Sequence, residues 1–232
     1  MHKAVVLLSG GLDSATIIAV AEKEKYEIIA LSFIYGQRHL KEIDCSRKIA
    51  IRHNAVEHII VPISEGIFKN TSLVKSENID IPKNRTGLDI SEIPSTYVPA
   101  RNTLFLSYAL AVAESRDADA IFIGVNALDY SGYPDCRGEY IATFQNMINL
   151  AVKKTVQGGE IVIKTPLIDL KKSEIIKLGM SLGVDYSLTH SCYDPDAEGN
   201  ACGKCDSCII RRKGFIEAGE PDVTVYSPLE AL

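Results

Sequence analysis

Two groups of residues in this chain carry recognisable chemistry. The first is Ser9-Gly10-Gly11-Leu12-Asp13-Ser14, directly after the apolar run Ala4–Leu8. Glycines let a backbone turn tightly and approach a ligand closely. A helix that starts in such a loop presents free N–H groups and a partial positive charge, and the hydroxyls of Ser9 and Ser14 add polar contacts. The combination suits a phosphate or pyrophosphate. It is not a Walker A loop, because no Lys-Ser or Lys-Thr pair follows, and not a G-x-G-x-x-G dinucleotide turn. Asp13 adds a carboxylate where magnesium with phosphate oxygens would be held. The second group is Cys192, Cys202, Cys205 and Cys208, with two overlapping C-x-x-C steps. Four such thiols fit a closed tetrahedral zinc site, structural because no position stays open. An iron–sulfur cluster would accept the same four ligands, but zinc is the better reading; a redox C-x-x-C needs only two. Cys45 and Cys136 read as ordinary residues, the latter inside a candidate ligand loop.

These groups need a scaffold. Lys3–Leu8, Glu27–Ile34 and Val56–Val61 read as strands, and the segments around Ala15–Ala21 and Gln37–Arg52 as helices. That β-α-β-α-β order predicts a doubly wound parallel sheet in an α/β fold. Further on, a helix over Asn102–Glu114 capped by Asn102, a strand over Ala120–Val125, a helix over Glu139–Val156, a strand over Ile161–Thr165, and helices over Lys171–Leu182 and Cys205–Ala218 complete the pattern. Residues 62–100 are proline-bearing and weakly periodic, which reads as a lid or a surface insertion. One α/β unit over 1–185, with a zinc-binding segment over 186–232 integral to it, is the expected organisation. The loop Asn126–Arg137 follows the fourth strand, on the sheet edge where ligands bind in such folds.

Composition narrows the partners. The chain has 232 residues, 46% hydrophobic and 24% charged, with net charge −5. These values exclude wholesale disorder and argue against a dedicated nucleic-acid binder. No apolar run is long enough to span a bilayer or form a signal-peptide core, so a cytoplasmic protein without a membrane partner is expected.

The S-G-G-x-D-S loop resembles that of the ATP-pyrophosphatase (PP-loop) group, which cleaves ATP to AMP and pyrophosphate. Thr165-Pro166-Leu167, Lys171 and Glu174-Ile175 resemble the same group. Four stretches make the likeness more specific: Ser9–Ser14; Tyr35-Gly36-Gln37-Arg38-His39; Val98-Pro99-Ala100-Arg101-Asn102 with Phe105-Leu106; and Asp129–Arg137. With the four cysteines, they resemble the nitrile-forming 7-cyano-7-deazaguanine synthase family of queuosine and archaeosine precursor synthesis. Ala100 departs from it, standing where glycine is expected.

That resemblance implies an ATP-dependent carbon–nitrogen ligase. It would convert 7-carboxy-7-deazaguanine and ammonia to the nitrile through two adenylations, releasing AMP and pyrophosphate, and a homodimer is implied. It implies ATP contacts from Leu8, Ser9, Gly10, Gly11, Leu12, Asp13, Ser14, Arg38 and His39. Catalytic roles fall to Asp13, Ser14, Arg101 and Lys164, and substrate contacts to Asp129, Tyr130, Gly132, Tyr133 and Asp135. Two alternatives stay open: a tRNA-thiolating enzyme of the same superfamily, needing a reactive cysteine, and a non-enzymatic zinc adaptor.

Overall fold

The computed structural model describes residues 2–85, 93–128 and 133–228. Among them, five strands form one parallel sheet: β1 (Lys3–Leu7), β2 (Glu27–Ile34), β3 (Glu57–Pro62), β4 (Ala120–Phe122) and β5 (Val162–Lys164), in the order β3-β2-β1-β4-β5. The helices are α1 (Leu12–Lys23), α2 (Lys41–Arg52), α3 (Arg101–Ser115), α4 (Gly138–Ala151), α5 (Lys153–Val156), α6 (Lys172–Ser181) and α7 (Asp206–Ala218). Side chains alternate across a strand. Accordingly Ala4, Val6 and Leu8 face a core built with α1, α2, α6 and α7, and Val5 and Leu7 face one built with α3 and α4. The strand order reverses direction at β1. The crevice between the carboxyl ends of β1 and β4 is therefore the switch point where ligands bind.

Several element boundaries differ from the sequence reading, each for a local reason. The second helix starts at Lys41, not Gln37, because the Gln37 side chain folds back. Its Oε1 accepts from the Tyr35 amide at 2.8 Å and its Nε2 donates to the Phe33 carbonyl at 3.1 Å. The expected single helix over 139–156 is two, separated by Val152 in an extended conformation. The Lys153 amide donates to Glu114 at 2.6 Å and starts the second.

Asn102 is not a cap. It lies inside α3, whose cap position is Ala100 at φ 53°. Left-handed backbone costs a non-glycine residue about 1–2 kcal/mol, which explains why glycine is expected there. The Asp135 carboxylate instead accepts from the Asn102 amide at 3.0 Å.

The described part of 62–100 is not a loose appendage. Phe68, Val74, Ile81 and Val98 are buried in the α3/α4 core. Arg85 forms an ion pair with the buried Asp206, and Lys83 one with Asp194 at 2.6 Å, tying the segment to the cysteine region.

Candidate active site

A cavity of about 230 Å³ opens at the switch point. Its floor is the loop after β1. Gly10 adopts φ +92°, and a Cβ there would lie 2.1 Å from the Glu42 carbonyl oxygen, so α2 packs directly on the loop. The amides of Gly10, Gly11 and Leu12 donate to the hydroxyls of Ser14, Ser9 and Ser191 at 3.1, 3.3 and 3.4 Å. Hydroxyls both accept and donate, so this cradle presents backbone and side-chain donors to an anion at the start of α1.

Asp13 pairs with Lys172 of α6, Oδ1 to Nζ 2.6 Å. Lys172 is only 7% exposed. It reaches the loop because Gly214 of α7 leaves room: a Cβ there would stand 2.4 Å from Lys172 Cγ. The sequence reading singled out the neighbouring Lys171, which lies at the cap position of α6 and whose backbone N–H donates to Glu174. The Lys-Lys pair was visible, but only the helical phase says which lysine turns inward.

On the opposite wall, Arg101 begins α3. Its Nη1 donates to the Tyr35 hydroxyl at 3.3 Å, and its guanidinium lies 5.9 Å from the centroids of Tyr35 and Phe105. Burial opposes its charge, but Tyr35, Tyr133 and Asp135 outweigh that and hold it protonated. Arg38 lines the cavity edge with its guanidinium bound to the Ser72 and Ile79 carbonyls. His39 donates from Nε2 to the Cys192 carbonyl at 2.8 Å. Its ring lies edge-on to His190, centroids 4.9 Å apart. Burial lowers both imidazoles, His190 to about 3, so each is neutral at physiological pH. His39 Nδ1 and His190 Nε2 are buried beside this cavity without a hydrogen-bond partner among the described residues.

The structure thus brings together Leu8, Ser9, Gly11, Leu12, Asp13, Ser14, Arg38, His39, Arg101 and Tyr133 around one cavity, with Gly10 shaping the loop beneath. Tyr133 shares a 2.7 Å hydrogen bond with Thr96. Two expected residues stand apart. Lys164 is paired with Glu24 beyond the end of α1, over the rings of Tyr26 and Phe122, because its strand position directs it to the α1 face. Asp135 is spent on the amino end of α3 and is not part of the cavity wall. Asp129, Tyr130 and Gly132 lie outside the described residues. Glu42, Tyr35, Asn126 and Ser191 line the cavity without having been singled out individually for it. Of these only Tyr35 lay in a stretch quoted for the resemblance.

The four C-terminal cysteines converge, their sulfur atoms all within 4.8 Å of one another. Zn–S bonds of about 2.3 Å in a tetrahedron put sulfurs roughly 3.8 Å apart, so the set fits zinc. The sulfurs are already dressed with amides. Asp194 and Cys202 donate to Cys192 Sγ at 3.3 and 3.2 Å, and Lys204 and Cys205 to Cys202 Sγ at 3.4 and 3.3 Å. Hydrogen bonds among the four cysteines push the Cys202 and Cys205 thiols down and the Cys192 and Cys208 thiols up, so the set shares its protons until a metal displaces them. All six cysteines are free of disulfides. Cys136 lines the cavity, but burial pushes its thiol up to about 12.

Fold and cavity together define a class: a doubly wound α/β protein of the PP-loop fold, with a glycine- and serine-rich loop at the carboxyl edge of its parallel sheet. Solved structures agree on the fold. An NMN synthetase from Francisella tularensis aligns at TM-score 0.50 and 20% identity, over 95% of this chain and 79% of that one. A 4-thiouridine synthetase, solved with RNA and bound ATP, aligns at TM-score 0.50 and 19% identity, over 97% of this chain and 47% of that one.

Sequence comparison is narrower. The family described as "Queuosine biosynthesis protein QueC" matches residues 3–219, and the chain belongs to that family. A 7-cyano-7-deazaguanine synthase of Desulfatibacillum aliphaticivorans is 58% identical over 229 residues, covering 98% of this chain and 97% of the relative. One from Syntrophus aciditrophicus is 58% identical over 222 residues, covering 95% of each.

Proposed function

We propose that this chain is an ATP-dependent ligase that turns 7-carboxy-7-deazaguanine and ammonia into 7-cyano-7-deazaguanine. The observation that carries this reading is the meeting of the Ser9–Ser14 loop and Arg101 in one cavity, with Lys172 paired to Asp13 of that loop, in a chain 58% identical to enzymes of that name.

The chemistry needs phosphate handling twice. A carboxylate is a poor electrophile, so its oxygen attacks the α-phosphorus of ATP. The bond to the β-phosphate oxygen breaks, and pyrophosphate leaves into the loop. Ammonia then adds to the acyl carbon, and AMP departs with the carbon–oxygen pair, leaving an amide. A second ATP adenylates the amide oxygen. Loss of the two N–H protons with departure of AMP completes the nitrile. One pyrophosphate site serves both rounds.

Within this scheme the amides and hydroxyls of Ser9–Ser14 hold the departing pyrophosphate, and Lys172 and Arg101 flank it with fixed positive charge. Magnesium would be held by Asp13 with phosphate oxygens, supplying further charge neutralisation. The four cysteines would hold zinc as a staple between the cavity's His190–Cys192 wall and α7. Free ammonia, a cytoplasmic setting and a homodimer belong to the same reading. Thiolation is disfavoured by Cys136, whose buried thiol is a weak nucleophile at neutral pH.

The test is incubation of the purified chain with ATP, magnesium, ammonium and 7-carboxy-7-deazaguanine, with AMP and the nitrile counted by mass spectrometry. Two AMP per nitrile is expected. AMP release that ignores the carboxylate, or sulfur entering tRNA, would overturn the reading.

A further inference from the structure

The cavity holds two acidic side chains among the described residues that line it, Asp13 and Glu42. Asp13 is paired with Lys172. Glu42, on the first turn of α2, has no hydrogen-bond or ion-pair partner among the described residues. The groups that face it are Arg101 from α3 and Tyr35 from the end of β2, with Cys45 on its own helix. A carboxylate held in a half-dry wall without a partner is costly unless it meets a cation or takes a proton. The Glu42 carbonyl lies on Gly10, so the first turn of α2 packs directly against the phosphate loop.

We propose that Glu42 binds ammonium in this cavity and accepts its proton, releasing ammonia beside the adenylated carboxylate. The role rests on the ligase reading above, and it meets a need of that reaction. At neutral pH the nitrogen source is almost entirely ammonium, which has no lone pair to attack with. In the step proposed, an N–H bond of ammonium breaks and the proton passes to a Glu42 carboxylate oxygen. The freed nitrogen pair adds to the acyl carbon. The carbon–oxygen bond to AMP then breaks, AMP keeps that pair, and the nitrogen sheds a second proton to water as the amide forms. Glu42 returns its own proton to water before the next cycle. Burial raises this carboxyl from 4.5 to about 7, with Arg101 pulling the other way. A base in that range is ionised often enough to act and basic enough to take a proton.

The experiment separates activation from nitrogen transfer in Glu42→Gln. Carboxylate-dependent exchange of pyrophosphate into ATP, run without ammonium, should stay within about threefold of wild type. Amide and nitrile formation from ammonium chloride at neutral pH should fall by about 100-fold, the lower end for loss of a general base. Hydroxylamine is largely unprotonated at that pH, and with it the loss should be under about tenfold. Equal losses with both nucleophiles, or a parallel fall in exchange, would overturn the proposal and make Glu42 a structural or nucleotide contact. If the variant does not fold, the wild type decides. The ratio of ammonia to hydroxylamine rates should rise as one group ionises near neutrality and then level off. A ratio that keeps rising tenfold per pH unit, as free ammonia alone would give, overturns it. Wild type without any carboxylate-dependent exchange would overturn the ligase reading itself.

Discussion

The same carboxyl makes a prediction about stability that needs no substrate. A folded-state value of about 7 against an ordinary 4.5 means that Glu42 binds its proton more tightly in the folded chain than in the unfolded one. The linkage sign follows. Below about 4.5 both states are protonated and the group is neutral for folding. Between the two values stability falls as pH rises. Above about 7 the full cost is present, about 3 kcal/mol for a difference of this size. Water entering the cavity screens part of it, so that figure is a ceiling. Glutamine has the same shape without the charge. Urea unfolding of zinc-loaded wild type and Glu42→Gln should therefore show the variant more stable by up to about 3 kcal/mol near pH 8, the gap shrinking to under about 1 kcal/mol near pH 5. Taking the difference at each pH cancels titrations elsewhere in the chain. Equal stability near pH 8, or a less stable variant, would refute the claim that an unpaired carboxylate is being held in this wall. A gain would also mark Glu42 as a residue kept at a cost to folding, as functional groups often are.

Three further outcomes test other parts of the site. Asp13→Ala should abolish AMP formation, with at least about a 100-fold loss, and near-normal AMP release would remove Asp13 from the phosphate machinery. Cys205→Ser, or prolonged chelation, should lower bound zinc by elemental analysis and cost several kcal/mol in unfolding, of the order seen for structural zinc; a fully stable, zinc-free, active chain would refute the staple. Gly10→Ala should cost about 3 kcal/mol or more, because its Cβ would sit 2.1 Å from the Glu42 carbonyl at a φ that glycine favours, and a thermal melt matching wild type would show that the loop and α2 are not in the contact described.

Much of this protein was legible in one dimension because its signals are local. Strand runs such as Ala4–Leu8 are continuously apolar because the sheet is covered on both faces. The phosphate loop follows from glycines and hydroxyls within six residues, and the cysteine cluster from spacing that tight turns convert directly into proximity. Where the reading missed, a distant group had taken over a local task. Asp135 caps α3 from 33 residues away, so Asn102 need not. Gln37 spends its side chain on the backbone of Phe33 and Tyr35, which delays α2. Lys164 ends β5, yet its side chain goes to Glu24 at the carboxyl end of α1.

Sequence alone determined a glycine- and serine-rich loop after the first strand, a four-thiol site, an α/β scaffold and a family. Those depend on residue types at short spacings, which the chain carries wherever it folds. Only the tertiary structure decided which of two adjacent lysines meets Asp13, which carboxylate is spent on a helix end, and which stands unpartnered beside the loop. Lys172 reaches Asp13 across 159 residues through the gap at Gly214, and Glu42 meets the loop through its carbonyl on Gly10. Such pairings are set by the phase of a helix and the space left by its neighbour, and neither quantity is written in the spacing of residues along the chain.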